Sequence, residues 1–248
     1  MRVENSFIPV HGVGETTERS LWTAGITHWD AFTPDAVGPK TADRIEDYLA
    51  TARPRLDDGD ARFFAETMPS RCHWRLYENF REETLFFDIE TTGLSKQQHV
   101  VTTVSVHRDG NTRTYVRGQD LTRAALEAEF SDAKLVGTFN GKQFDVPFLE
   151  HAFDLDIDLP HLDLRFLGDR VGFSGGLKRV ERDLGIERDR PDISGRDAVR
   201  LWHEYDRDGD ADALATLIAY NQDDARNLVA LADELTGRIH DRVFPETD

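Results

Sequence analysis

Three short segments carry acidic side chains at spacings that could support metal chemistry. The first contains Asp88 and Glu90, which flank Ile89 near the end of a hydrophobic run predicted to be a buried strand. Because side chains alternate between the faces of a strand, both carboxylates point to one face. Two such carboxylates repel each other unless a cation lies between them, and hard oxygen ligands suit Mg²⁺ or Mn²⁺. The alternative interpretation is a solvated strand end.

The other two segments place an aspartate beside a helix. Asp145 stands at a predicted strand-to-helix junction in FNGKQFDVPFL, where capping the helix is the alternative role. Tyr220 and Asp224 are four residues apart in AYNQDDARNL, so they share one face of a predicted helix. Asp223 lies about 100° around that helix from Asp224. We therefore expect Asp224 to be the site residue and Asp223 to be solvated, and the alternative for Tyr220 is a core aromatic.

Hydrophobic periodicity predicts the elements that position these residues. The predicted strands lie in TLFFDIETTG and KLVGTFNG, and a hairpin is predicted around Asp109-Gly110-Asn111. Helices are predicted in DLTRAALEAEFSD with Asp120 as the N-cap, in FDVPFLEHAF, in GLKRVERDLGI with Gly185 as its end, and from Asp197 to Arg242 with a break near DRDGDAD. The segment between FDVPFLEHAF and Arg170 is predicted to be a loop with one short strand at HLDLRFL. Strands followed by alternating strands and helices imply an α/β fold with a mixed sheet.

Residues 1–60 have a different, mostly helical pattern. Two similar stretches, VHGVGETTERSLWTAGI and DAVGPKTADRIEDYLA, each place a glycine-containing turn before a helix and form a weak internal repeat. Residues 61–83 are rich in aromatic side chains, so we expect them to pack rather than float free. The predicted organisation is a helical domain at 1–60, a connector at 61–83 and an α/β domain at 84–248.

The amino-acid composition limits the classes of protein to which this chain can belong. The 248 residues include 47 Asp and Glu against 30 Lys and Arg, a formal net charge of −17, and one cysteine. One cysteine excludes a disulfide framework and a Cys-rich zinc site. The sequence has neither a signal-like segment nor a membrane-spanning run, so we expect a soluble, cytoplasmic protein without a membrane partner. The acid excess indicates a halophilic surface that stays hydrated at high salt, the alternative being an ordinary acidic protein.

The acidic balance also excludes a nucleic-acid binder that works by charge alone. Nucleic acid is still a feasible substrate, because bound metal ions can supply positive charge locally.

The ordered set DIETTGL, NGKQFDVPFL and YNQDD resembles the DEDD exonucleases of the ribonuclease H-like superfamily. The tyrosine four residues before the final aspartate matches the DEDDy branch of that group. Residues 84 to about 235 look most similar to the YprB-type ribonuclease H-like domain, with LKRVERDLGI and LIAYNQDDARNL included in the likeness. This resemblance implies a mixed central sheet flanked by helices and a nuclease activity.

The resemblance also implies roles for individual residues. Two divalent metal ions, Mg²⁺ or Mn²⁺, would be held by Asp88, Glu90, Asp145 and Asp224, with Asp88 as the bridging ligand. Tyr220 would orient the attacking water or take part in its deprotonation. The substrate-binding residues implied by the family are Thr91, Gly93, Leu94, Asn140 and Phe144.

The N-terminal region resembles the helix-hairpin-helix motif at Gly12 and Gly14, which precede a predicted helix. In that motif, backbone N–H groups at a helix start bind a phosphate without reading sequence. The second stretch has Ala36 in place of the first glycine. The alternative is a small helical domain whose glycine turns serve only to pack helices.

These observations predict a metal-dependent nuclease, a 3′–5′ exonuclease acting on single-stranded or frayed DNA or RNA ends. The alternatives are a structure-selective endonuclease on the same fold, and a non-catalytic module that binds nucleic acid or recruits a partner. Other polar residues near the motifs are expected to be structural or exposed: Asp163 as a structural carboxylate, Asn221, Asp223 and Asn227 as surface or helix–helix contacts, and Lys178 as a solvated helix lysine.

Overall fold

The computed structural model describes residues 1–244, and the chain divides into two compact units. Among the described residues, the first unit comprises Met1–Arg81 together with residues 236–244, and the second comprises Glu82–Leu235. None of the helices in the described part of the chain is long and apolar enough to cross a membrane.

The second unit is built around one mixed sheet. In the described residues its five strands are β1 (Thr84–Thr91), β2 (Val101–Arg108), β3 (Asn111–Val116), β4 (Leu135–Thr138) and β5 (His161–Asp163). They are arranged in the order β3-β2-β1-β4-β5. β1 pairs antiparallel with β2 and parallel with β4, and β4 pairs parallel with β5. The mixed central sheet predicted from the sequence is confirmed, and β1 is its middle strand.

The turn between β2 and β3 follows from its residues. Asp109 has φ 47° and Gly110 has φ 73°, the left-handed conformations that a tight hairpin turn requires at both central positions. The predicted hairpin is therefore confirmed.

Helices flank the sheet and form the first unit. They are α1 (Glu15–Thr23), α2 (Pro39–Asp57), α3 (Ala61–Thr67), α4 (Arg123–Ser131), α5 (Asp145–Phe153), α6 (Leu164–Val171), α7 (Leu177–Leu184), α8 (Gly195–Asp208) and α9 (Ala211–Val243). Short 3₁₀ turns occupy Val3–Asn5, Trp29–Ala31, Pro34–Ala36 and Ser70–Leu76. Gly185 ends α7 in a left-handed conformation with φ 76°, as predicted.

The alternation of side chains along β1 separates core from site. Leu85, Phe87 and Ile89 are buried in a cluster with apolar residues of α4 and α5. Asp88 and Glu90 lie on the opposite face, because side chains two residues apart share a face. That face turns toward α9, which supplies a hydrogen bond to Asp88.

The first unit is helical, as predicted. α1 begins after Gly14 and α2 begins after Gly38, so each of the two similar stretches leads directly into a helix. Inside this unit Arg75 and Glu18 form a buried ion pair, with Nη1–Oε1 at 2.8 Å and Nη2–Oε2 at 2.9 Å. Since a buried carboxylate and a buried guanidinium are tolerated when paired and hydrogen-bonded, this contact fixes α1 against the 70–76 segment.

Residues 61–81 lie within the first unit, and their aromatic side chains are packed there. Phe64, Trp74, Tyr77 and Phe80 are buried. The expectation that this segment packs rather than floats free agrees with these contacts.

Two local predictions were wrong. Thr122, not Asp120, caps α4, because its side chain accepts a hydrogen bond from Ala125 N, whereas Asp120 accepts one from Val116 N. The segment predicted as loop to Arg170 contains α6. Asp163 caps α6 by accepting from Arg165 N, so the chain turns from β5 directly into a helix.

Candidate metal centre

Three carboxylates converge between β1 and α9. Asp88 and Glu90 come from the exit end of β1, and Asp224 comes from α9. One oxygen from each lies within 4.8 Å of the others. Among residues 1–244, one set of three or more acidic, histidine or cysteine side chains lies close enough together to bind one ion. It consists of these three carboxylates. The strand alternation predicted for Asp88 and Glu90 therefore brings both to Asp224.

Asp145 is tied to the same strand. It is the first residue of α5, and its Oδ1 accepts a hydrogen bond at 3.2 Å from the backbone N–H of Ile89, the residue between Asp88 and Glu90. The N-cap position of α5 belongs to Phe144. Asp145 is thus directed at the strand that carries Asp88 and Glu90. It does not act as the N-cap of α5.

The site has an unfavourable concentration of negative charge in the absence of a cation. Burial raises the pKa values of Asp88 and Glu90 well above their usual range, and the charges of Asp224 and Asp145 raise them further. Burial likewise raises the pKa of Asp145 to about 7 and that of Asp224 to about 6. Crowded carboxylate oxygens of this kind fit a hard divalent cation such as Mg²⁺ or Mn²⁺.

Asn221 holds the central carboxylate in place. Its Nδ2 donates to Asp88 Oδ2 at 2.7 Å and to the Asp88 carbonyl at 3.2 Å, while its Oδ1 accepts from Thr103 Oγ1 at 2.9 Å. Asn221 is fully buried and connects a helix to the sheet, so the surface or helix–helix contact expected for it is wrong. Its position three residues before Asp224, on the same helix face, is the signal that could have identified it.

Tyr220 lies in the apolar core and beside Asp224. Its ring belongs to a buried apolar cluster with Leu201, Trp202 and Leu217. Burial raises the pKa of the neighbouring Asp224, and its interaction with Tyr220 lowers that pKa in part. Burial, followed by the neighbouring carboxylates, raises the pKa of Tyr220 above its ordinary value. The tyrosine therefore presents a protonated hydroxyl to the acidic group.

Asp223 is buried, so the prediction that it would be solvated is wrong. Its Oδ2 accepts hydrogen bonds from Asp189 N at 3.0 Å and Arg190 N at 3.2 Å. The loop after α7 covers this face of α9, and helix geometry alone could not reveal that cover.

Lys178 was wrongly expected to be a solvated helix lysine, whereas Asn227 makes a helix–helix contact of the kind expected for it. Lys178 is half-buried, donates to the Ile193 carbonyl and lies 5.0 Å from the centre of the Tyr220 ring. Asn227 is buried and donates to Glu181 Oε1 at 3.1 Å. Both residues connect α7 and its following loop to α9.

The last residue of β1 and the segment after it carry three predicted substrate residues. Thr91 Oγ1 donates to the Gly93 carbonyl at 2.7 Å, which closes a tight turn. Leu94, in contrast, is 86% exposed. An exposed large apolar side chain immediately after the strand of Asp88 and Glu90 is available to an apolar partner such as a nucleobase. Contact between this segment and substrate stays a prediction.

Asn140 and Phe144 lie in the turn between β4 and α5. Asn140 adopts a left-handed conformation with φ 67°, and its N–H donates to Asp163 Oδ1 at 2.8 Å. Its Oδ1 accepts from Arg165 Nη1 at 2.6 Å. Asp163 also accepts from Lys142 N and is thus the structural carboxylate that was expected. Phe144 is half-buried against Phe148, and its contact with substrate is untested.

One residue at the site was missed entirely. Arg188, from the loop after α7, donates hydrogen bonds to Asp224 and to the buried Glu181. Its side chain is 6% exposed. The residue lies in an irregular segment, 36 positions before Asp224, where neither periodicity nor a motif signals a contact.

Comparison with known proteins agrees with this architecture. A family model described as the RNase_H superfamily matches residues 85–236. Among solved structures, a family B DNA polymerase from the hyperthermophilic archaeon Pyrobaculum calidifontis is 21% identical, with a TM-score of 0.51, over 61% of this chain and 24% of that chain. The chain thus spans about a quarter of the length of that polymerase, and the likeness concerns the fold.

Two further structures are more distant in shape. A nuclease in its apo form is 22% identical over 63% of this chain and 72% of that chain, with a TM-score of 0.47. Brucella melitensis NrnC is 17% identical over 69% of this chain and 92% of that chain, with a TM-score of 0.37. No curated protein matches the chain in sequence. Since the family match covers more than half of the chain, and its sheet and helices form the corresponding fold, the protein belongs to the ribonuclease H superfamily and has a nuclease fold.

Proposed function

We propose that this protein is a metal-dependent hydrolase that removes nucleotides from the 3′ end of single-stranded or frayed nucleic acid. The observation that carries the proposal is the convergence of Asp88, Glu90 and Asp224, with oxygens within 4.8 Å of one another, in a ribonuclease H-like fold. Asp145, bound to the backbone between the first two, supplies a fourth carboxylate.

The carboxylates divide into two sets of ligands. Asp88, Glu90 and Asp224 would hold one divalent ion, and Asp88 with Asp145 would hold the other. When bound, two such ions supply an activated water and stabilise the charge on the leaving oxygen. The raised pKa values of these buried acids favour this use, because each acid takes up either a proton or a cation.

The surrounding side chains orient these ligands and the water. Asn221 fixes the rotamer of Asp88 by donating to Oδ2 and to its carbonyl. Tyr220 keeps its proton near neutral pH, so its hydroxyl would position the attacking water by a hydrogen bond and would not act as the base.

The terminal nucleotide would lie against the segment after β1. Exposed Leu94 offers an apolar surface to a base, while Thr91 and Gly93 set the turn that presents it. Asn140 and Phe144 would contact the same nucleotide from the turn before α5. DNA and RNA both offer the phosphodiester and the base that this arrangement requires.

Residues 1–60 would provide a second, weaker contact with the nucleic-acid backbone. Gly12 and Gly14 directly precede α1, and the N-cap of α1 has no side-chain partner for the first N–H groups. A phosphate at this helix start would be bound without regard to sequence. Such a contact would act mainly by holding the nuclease to its substrate.

Digestion of 5′-labelled single strands tests the proposed direction and end requirement. Linear DNA and RNA and a circular strand would be incubated with Mn²⁺, Mg²⁺ or EDTA. We expect stepwise shortening of the linear strands with metal and none of the circle. Cleavage of the circle would replace the exonuclease with an endonuclease, and no cleavage of any strand by protein that binds metal would contradict a nuclease.

A further inference from the structure

Arg188 places a permanent positive charge against a proposed metal ligand. Its guanidinium donates to Asp224 Oδ1 through Nη2 and to Glu181 Oε2 through Nη1. The Glu181 side chain is fully buried, and those of Arg188 and Asp224 are 6% and 7% exposed. An arginine does not lose its proton in a protein, so this charge is always present.

The two hydrogen bonds of Arg188 differ in what supports them, and its Nε also lies 3.9 Å from Asp223 Oδ2. Glu181 is fixed from the other side by Asn227 Nδ2 at 3.1 Å. The loop that carries Arg188 is fixed by Asp223, which accepts from the N–H groups of the next two residues. The contact with Asp224 is the one shared with the acidic cluster. The hydrogen bond to Glu181 is therefore supported by further hydrogen bonds, whereas the one to Asp224 uses a carboxylate of the acidic cluster.

A divalent cation and this guanidinium would use the same carboxylate. The cluster around Asp88 has no other arginine or lysine hydrogen-bonded to it among the described residues, so Arg188 supplies the cation that Asp224 contacts when no metal is bound. A second positive charge a few ångströms away in a buried site would weaken metal binding.

We propose, building on the metal centre of the proposed function, that Arg188 is a positioning residue that competes with the metal for Asp224. Without metal it holds Asp224 and offsets one of the two negative charges of Asp224 and Glu181. When metal binds, Asp224 turns to the ion while the guanidinium remains on Glu181. Arg188 thus stabilises the metal-free fold and lowers the affinity of the site for metal.

Two measurements on intact protein test this competition. Arg188→Gln removes the charge, and Arg182→Gln removes an equal charge from an arginine of α7 that is 74% exposed. Mn²⁺ would be titrated by calorimetry, and unfolding would be followed in EDTA and in saturating Mn²⁺. For Arg188→Gln we expect Mn²⁺ affinity to increase about tenfold, and a loss of stability in EDTA that shrinks in Mn²⁺. For Arg182→Gln we expect little change in either.

A second variant should change Mn²⁺ affinity in the opposite direction. It also keeps the inference testable if Arg188→Gln does not fold. Glu181→Gln removes the anchor charge, so the guanidinium depends more strongly on Asp224, and Mn²⁺ affinity should fall. Unchanged affinity in both variants, or an equal stability loss of Arg188→Gln with and without Mn²⁺, would overturn the inference and leave the nuclease proposal intact. Mn²⁺ binding that survives Asp88→Asn would instead overturn the metal centre itself.

Discussion

At the scale of single residues, the metal-free site is under electrostatic stress. Asp88 is half-buried and lies close to Glu90, Asp145 and Asp224, and after desolvation all three of these raise its pKa. We therefore expect Asp88→Asn to stabilise the protein in EDTA by about 1 kcal/mol at neutral pH, because one of four crowded carboxyl groups, whose ionisation is unfavourable, is removed. Denaturant unfolding measures this change.

The matched control for that change is Asp206→Asn, which removes a charge from an exposed position on α8. Its effect should be negligible. A destabilisation by Asp88→Asn in EDTA would mean that the carboxylates do not repel one another in the folded protein. In saturating Mn²⁺ the order should reverse, with the unchanged protein the more stable.

The pH dependence of the metal-free protein has a definite sign. The pKa of Asp145 is raised to about 7 and that of Asp224 to about 6 by burial first of all. Between about pH 4, where an unfolded aspartate loses its proton, and these values, the folded protein binds more protons than the unfolded chain. These groups therefore make the protein less stable as pH rises through that window.

Unfolding in EDTA at several pH values checks this sign. The contribution of Asp145 to the free energy of unfolding is the difference in that energy between the unchanged protein and Asp145→Asn. This contribution should fall by up to about 1.4 kcal/mol per pH unit in that window. Above about pH 8 it should be constant, since both carboxyls are then ionised. Parallel curves for the two proteins would contradict the raised pKa.

Asn221 should affect the rate more than the binding of substrate. Asn221→Ala removes the donor to Asp88 Oδ2, so we expect kcat to fall about 10- to 100-fold with a smaller change in KM. Gln222→Ala, one residue further along α9, is the control and should retain the rate. Equal rates in both variants would show that Asp88 keeps its orientation without Asn221.

Residue types and spacing predicted the acidic cluster better than its surroundings. The alternation along β1 placed Asp88 and Glu90 on one face, and the four-residue spacing associated Tyr220 with Asp224. The contacts of Asp223 and Arg188 were not predictable, because both depend on the irregular loop after α7. Such a loop has no periodic pattern from which burial can be inferred.

At the scale of elements, the close approach of β1 and β4 depends on Gly137. This residue pairs with Phe86, and a Cβ at its position would lie 2.4 Å from two carbons of the Phe86 ring. We expect Gly137→Ala to destabilise the protein by about 1–3 kcal/mol, because the ring or the strand must shift. Thermal and denaturant unfolding measure the effect.

Gly195→Ala provides the comparison for that substitution. A Cβ there meets nothing within 4 Å, and the residue is the first of α8, where alanine is well tolerated. Its stability should be unchanged or slightly higher. Equal effects of the two substitutions would mean that the contact with Phe86 does not limit the strand pairing.

Most elements were predictable because their patterns are long or have strong turn signals. The hairpin follows from Asp109 and Gly110, and α7 follows from its apolar spacing and from Gly185. α6 was missed because β5 spans only His161–Asp163 and the helix begins at the next residue. A strand that short leaves too few residues to mark where one periodicity ends and another begins.

At the scale of the whole molecule, the net charge of −17 is the dominant property. Self-repulsion among these charges destabilises a compact chain, and salt screens it. We propose that the surface suits high salt, and we expect the free energy of unfolding to rise between about 0.1 M and about 2 M KCl at neutral pH. The gain should shrink at about pH 5, where protonation reduces the net charge. A flat response at neutral pH would contradict this proposal.

The central claim is that the carboxylates around Asp88 perform metal-dependent hydrolysis of nucleic acid. The most direct test is the cleavage rate of a 5′-labelled single strand in Mn²⁺ at high salt, for the unchanged protein, Asp88→Asn and Asp206→Asn, each shown to be folded. We predict that EDTA abolishes cleavage, that Asp206→Asn retains it, and that Asp88→Asn slows it by about three orders of magnitude or more. Cleavage by Asp88→Asn at the unchanged rate would contradict the account.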